Sequence, residues 1–125
     1  MQGIEELRAY YLQLPYVWED LPFGDNILVL KVGVKMFACI PLDREGLHIA
    51  LKCDPERAED LRSRYNAVRP AYHLNKKHWN GIDCRDDLSK ADILDLLKHS
   101  YDLVWAKMTK RQRLEAEDIY KQAKE

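Results

Sequence analysis

Residues 27–32 (ILVLKV) and 35–40 (KMFACI) are β-prone runs separated only by Gly33 and Val34. Two residues can reverse an antiparallel pair but cannot supply the long crossover of a parallel one. Glycine accepts the positive φ of a type II′ turn, so the stretch predicts a tight hairpin. The chain is thereby committed to an antiparallel sheet, which the flanking segments must extend or cover. Upstream, Ile4, Leu7, Tyr11 and Leu14 share one helical face, and Pro15 closes that segment. Tyr16 to Asp20 reads as a short strand, followed by the turn-rich LPFGDN of residues 21–26. Downstream, PLDREG (41–46) makes a loop, and Leu47 to Cys53 is a further strand with Leu47, Ile49, Leu51 and Cys53 on one face.

Asp54-Pro55 has the chemistry of a helix start, with an aspartate to cap free amides and a proline at the first helical position. Ala58, Leu61 and Tyr65 form that helix's apolar stripe. A second hairpin is expected with arms Ala71–Leu74 and His78–Cys84 and a tip at Asn75, Lys76 and Lys77. Asn80-Gly81 offers a competing turn, or Gly81 a bulge. Ser89 and Asp92 have capping-box spacing ahead of Ile93, Leu97, Tyr101, Val104 and Met108, the longest helical pattern. Thr109 and Gln112 repeat that spacing before a polar helix through Lys124, anchored by Leu114, Ile119 and Tyr120 and expected to dock loosely. The fold class is α+β, an antiparallel sheet with helices packed on one face. Residues 1–108 are expected to form one domain and 109–125 a helical tail.

At 125 residues, 46% hydrophobic and 33% charged, the chain suits one soluble folded domain. No run approaches the apolar length of a membrane span, and the amino end has the acids Glu5 and Glu6 where a secretory signal is apolar. Cys39, Cys53 and Cys84 are an odd, widely spaced set without a CxxC. They point to buried thiols in a reducing cytoplasm, with one disulfide plus a free thiol as the rival.

The formal charge of −1 excludes a histone-like coater of DNA. It conceals segregation. Residues 1–60 carry six bases and eleven acids, whereas residues 61–85 carry six bases and one acid, and residues 106–113 four bases and none. The first basic stretch contains Arg62, Arg64, Arg69, Lys76 and Lys77, interleaved with Tyr65, Tyr72, His73, His78 and Trp79. Bases of this kind bind phosphates, and aromatic rings stack on nucleobases. A solvated hairpin tip and a core tryptophan would explain the same residues without a ligand.

Metal and catalytic patterns are weak. His73 and His78 bracket the expected tip without a third ligand at a recognised spacing. Glu5, Glu6, Glu19, Asp20 and Asp25 are sparse acids that a solvated face explains. No GxSxG, P-loop or GxGxxG occurs, so neither an enzyme nor a cofactor is expected.

LPFGDN (21–26), LKVGVKMFACI (30–40), LKCDPERAEDLR (51–62), PAYHLNKKHWN (70–80) and SYDLVWAKM (100–108) occur in that order, and together they resemble the MmcQ/YjbR family of small bacterial proteins. The resemblance implies a frataxin-like (CyaY-like) α+β fold and a double-wing DNA-binding motif. The wings here would be the hairpin at Gly33 and Val34, flanked by Lys31 and Lys35, and the hairpin at Lys76 and Lys77. The expected function is modest, salt-sensitive DNA binding. Lys35, Lys76 and Lys77 would neutralise phosphates, Asn75 and Trp79 would make closer contacts, and Arg62, Arg64 and Arg69 would extend the strip. The rival is a protein-interaction module that presents its sheet face and binds no nucleic acid.

Overall fold

In a computed structural model of the chain, residues 3–71 and 73–125 are described. The elements are α1 (Ile4–Tyr11), β1 (Val17–Asp20), β2 (Ile27–Val32), β3 (Lys35–Pro41), β4 (His48–Lys52), α2 (Pro55–Arg64), β5 (Val68–Pro70), β6 (Trp79–Asp83), α3 (Lys90–Lys107) and α4 (Lys110–Lys124). The strands form one antiparallel sheet in the order β1-β2-β3-β4-β6-β5. The fold is α+β, with the main core between one sheet face and the helices.

Alternation decides which face each side chain meets. Leu30 and Val32 on β2, Ile49 and Leu51 on β4 and Ile82 on β6 join Leu7, Ile93, Leu97 and Val104 in that core. The opposite face is open. Gly33 has φ 60°, while Val34 keeps a negative φ, so the β2–β3 turn is the type II′ turn its sequence predicts. On β3, Leu30 faces Ala38 but Lys31 faces Met36, which leaves Phe37 as the extra residue of a β-bulge. The bulge turns Phe37 toward the helices, where its ring meets Tyr101 edge-on at 5.5 Å.

Ser100, fully buried on α3, joins helix to sheet. Its Oγ donates to the Phe37 carbonyl at 2.6 Å and accepts from the Lys52 amide at 2.9 Å. The direct pairing of β3 with β4 runs only through Ala38–Leu51 and Cys39–Ala50, and the hydroxyl spans the gap beyond it.

Helix starts follow the predicted caps. Asp54 accepts from the Arg57 amide, Ser89 from that of Asp92, and Thr109 and Gln112 complete a reciprocal capping box. His99 adds a pH-sensitive bond, because its Nε2 accepts from the Asp54 amide at 3.2 Å. Burial, then Arg57, pushes its pKa below the usual 6.5, against the opposing pull of Asp54, Asp95 and Asp102. The fold therefore favours the neutral ring. Its contribution is present above the unfolded histidine pKa and is lost as pH falls through the lower folded value. In urea denaturation, wild type should lose more stability than His99→Gln between about pH 7.5 and about pH 5. Equal losses would exclude this role.

Three features differ from the sequence reading. The second hairpin is shifted. Its first arm is Val68–Pro70, and two turn hydrogen bonds precede the second arm, from the Leu74 amide to the Ala71 carbonyl and from the His78 amide to the Asn75 carbonyl. Asn80-Gly81 lies inside β6 in unbroken register and is neither turn nor bulge. The last helix is not a loose tail. Ala116 is fully buried in the common core, Tyr120 packs edge-on against Tyr16, and the Arg113 guanidinium donates to the carbonyls of Trp105 and Ala106 at the end of α3. The expected anchor Leu114 is instead 70% exposed. The cysteines follow the leading sequence reading: all three are buried and none forms a disulfide, and burial pushes the Cys39 thiol up to about 11 and that of Cys84 to about 12.

Candidate functional site

The basic residues marked out in the sequence divide into three groups. Arg62 serves the scaffold. Its Nε donates to Asn80 Oδ1 at 2.6 Å, and its Nη2 donates to the carbonyls of Lys76 and Trp79. Asn80 is buried and donates to the Ala58 carbonyl, so the pair ties α2 to the root of the 71–78 loop. Asn75 is also occupied, its Oδ1 accepting from the Lys77 amide at 3.0 Å in a side-chain-closed turn. Trp79 is 8% exposed and lies inside, not ready to stack on a base. Tyr72, placed by the sequence among the aromatic partners of this stretch, lies outside the described residues.

Arg64 and Arg69 form the second group and stand apart from the lysines. Arg64 pairs with Asp60 at 3.3 Å and lies over the Tyr65 ring. Arg69 is on β5, opposite Gly81, and faces the open side of the sheet.

The third group gathers at one end of the sheet. Lys35 opens β3 and Lys52 closes β4, and antiparallel pairing puts these two strand ends together. Lys52 is also paired with Trp79, where the turn bearing Lys76 and Lys77 runs into β6. Lys107, at the last turn of α3, completes the group. Burial and then the charges of Lys107 and Lys35 depress the Lys52 ammonium pKa. Both charges acting on Lys52 are cationic, so Lys35 and Lys107 each lie close enough to repel it. Lys52 lies outside the residues marked in the sequence because it belongs to no basic run, whereas Lys107 is marked only as part of the basic stretch 106–113, without a binding role. The legible signal was Lys52's position, at a strand end beside the expected second tip.

The first wing is altered by α4. A Cβ placed on Gly33 would meet Met108 Cε at 3.1 Å and Ala116 Cβ at 3.7 Å, so the turn backs onto this helix while Val34 remains exposed. Lys31 is committed to Asp20 at 2.8 Å and lies over Trp18. Lys35 is the cation that this hairpin leaves exposed at its tip.

Three of the five acids weighed for metal are engaged in ion pairs. Glu6 pairs with Lys90 at 2.7 Å, Asp20 with Lys31, and Glu19 with Arg8 at 3.0 Å. Glu19 also accepts from the Tyr11 hydroxyl, and the bond from Arg8 does most to hold its carboxyl below the usual range. Among the described residues no group of three or more His, Cys, Asp or Glu could hold a metal ion. No helix among them is long and apolar enough to cross a membrane.

The open sheet face carries a concavity of about 870 Å³ that sequence reading missed. Its floor includes Cys39, Ala50 and Gly81, neighbours in one row across β3, β4 and β6. Loops supply Phe23, Arg44 and Leu74 to its rim. The floor depends on register between strands, so no local motif discloses it.

A profile of the YjbR family matches residues 12–103. The uncharacterized protein YbdF of Escherichia coli O157:H7 is 35% identical over 107 residues, covering 86% of this chain and 88% of that protein. The uncharacterized protein YjbR of Escherichia coli K12 is 32% identical over 98 residues, covering 78% and 83%. The crystal structure of Deinococcus radiodurans protein DR2400, with family-model domain DUF419, superposes with a TM-score of 0.86 at 38% identity, over 93% of this chain and 88% of that one. The match spans the sheet, α2 and most of α3, and on it the chain belongs to the YjbR family.

Proposed function

We propose that this protein is a non-catalytic cytoplasmic module that binds the phosphodiester backbone of duplex DNA through its lysine-rich end. The observation that supports this reading is the gathering of Lys35, Lys52 and Lys107 beside the turn bearing Lys76 and Lys77. Phosphate is the polyanion that such a cluster suits, and lysine binds it as a point charge without demanding bidentate geometry. Arg62 contributes indirectly by fixing the Lys76 carbonyl and therefore the turn. With Trp79 buried and Asn75 closed on Lys77, base readout has little to work with, and weak sequence preference is expected.

The test is a fluorescence-anisotropy titration of a short duplex across a salt series. Three to six phosphate contacts give a log–log salt slope of about −3 to −5. No binding at about 50 mM salt, or a slope near zero, would remove the proposal.

A further inference from the structure

We propose that the concavity on the open sheet face is a binding site for a small organic carboxylate with a flat apolar body. Three observations carry it. The first is size and shape: about 870 Å³, bounded by Phe23 and Leu74 on the rim and floored by small side chains. Ligand cavities commonly fall between about 300 and about 1,000 Å³.

The second is charge. Arg44, Arg69, His48 and His73 line this largely apolar hollow, together with Asn66, Asp83 and Asp86. Neither arginine forms an ion pair among the described residues. Of the two lining carboxylates, Asp83 is held by Arg85 at 3.2 Å, which leaves Asp86 as the opposing charge. Guanidinium groups beside apolar surface match a carboxylate attached to a hydrophobic ring.

The third is Gly81. Glycine in a strand interior weakens the strand and commonly marks a bulge or a close approach. Gly81 is in regular register and does not have positive φ, and the nearest atom to an added Cβ is the Arg69 carbonyl oxygen, at the ordinary distance of 3.9 Å. Neither the backbone nor its neighbours require glycine there. A larger residue would fill the hollow between Ala50 and Arg69.

A small molecule suits this face better than an added peptide strand. Strand addition needs an open sheet edge. β5 is only three residues long and ends in Pro70, which has no amide proton, and β1 packs against α4 at the other edge.

Naphthalene-2-carboxylate is the probe, followed by ¹H–¹⁵N NMR, with naphthalene-2-methanol as the neutral control. Saturable shifts are expected at the amides of Cys39, Ala50 and Gly81, with a Kd of about 1 mM or below. The alcohol and the Arg69→Gln variant should each bind about tenfold more weakly. Ala50→Leu should abolish the shifts while keeping a folded spectrum. If that variant does not fold, Gly81→Val makes the same test, because a Cβ fits at that position. Replacement of Lys35, Lys52 and Lys107 should leave probe binding unchanged, which separates this site from the lysine-rich end. Absence of saturable shifts, equal binding of the alcohol, or full binding by a folded floor-filled variant would overturn the proposal. A face reserved for a protein partner would give the first of these results.

Discussion

Glutamine at Lys35, Lys52 and Lys107 together should weaken duplex binding by about two to three orders of magnitude at about 0.1 M salt and flatten the salt slope by about three units. Each phosphate contact releases a condensed counterion, so losing one lowers the slope by about 0.9 and the affinity at this salt by nearly tenfold. Glutamine keeps most of each side chain, including the half-buried stem of Lys52, and the fold should persist. The control is Lys90→Gln with Lys98→Gln, which removes positive charge from the same molecule. Lys90 lies about 25 Å along α3 from Lys107 at the helical rise per residue, and both control lysines already face acids, Glu6 and Asp102. The control should retain the wild-type slope. A triple variant that also retains it would place the phosphate contacts elsewhere, or nowhere.

Ser100→Ala should cost about 2–4 kcal/mol of stability, a large effect for the loss of one oxygen. The hydroxyl is the partner of two backbone groups, the Phe37 carbonyl and the Lys52 amide, where β3 and β4 part. Without it both lose that partner in an environment where Ser100 itself is fully buried. Leaving such a group unsatisfied costs about 1–3 kcal/mol, far more than the net worth of an average hydrogen bond. Urea denaturation is the measurement, with an unchanged m-value and a lower midpoint expected. A loss below about 1 kcal/mol would mean that water or a small shift of the strands replaces the bridge. The consequence reaches the lysine-rich end, because the Lys52 amide is one of the bridged groups.

The legible parts of the fold were those governed by short-range chemistry. Gly33 could be read because a two-residue turn requires a residue tolerant of positive φ, and Asp54, Ser89 and Thr109 because helix starts need acceptors for their free amides. The boundaries of β5 and β6 were less legible: Ala71 and Leu74 read as strand but are joined by a turn hydrogen bond, and the next turn is held by Arg62 of α2 through the Lys76 carbonyl. Phe37 shows how one bulge defeats alternation: it and Ala38 both enter the helix-side core, although a regular strand would separate them. The candidate site suffered most. Lys76 and Lys77 stood out as neighbours in sequence, whereas Lys52 and Lys107 join them only through the folded chain. Trp79 shares its face with Lys52, so even a correct strand assignment would leave its burial to the surrounding chain.

The strand order also governs how this chain resists self-association. β2 and β3 contain the most apolar β-prone sequence in the molecule, the kind that stacks into cross-β fibrils when exposed. Both lie inside the sheet, with hydrogen-bonded neighbours on either side. The flanks are given to β1, four residues long, and to β5, three residues long with a proline at its end. Templated growth onto another chain must begin at such a flank, where there is little backbone to copy, and the hazardous segments become available only after the native ladder has opened.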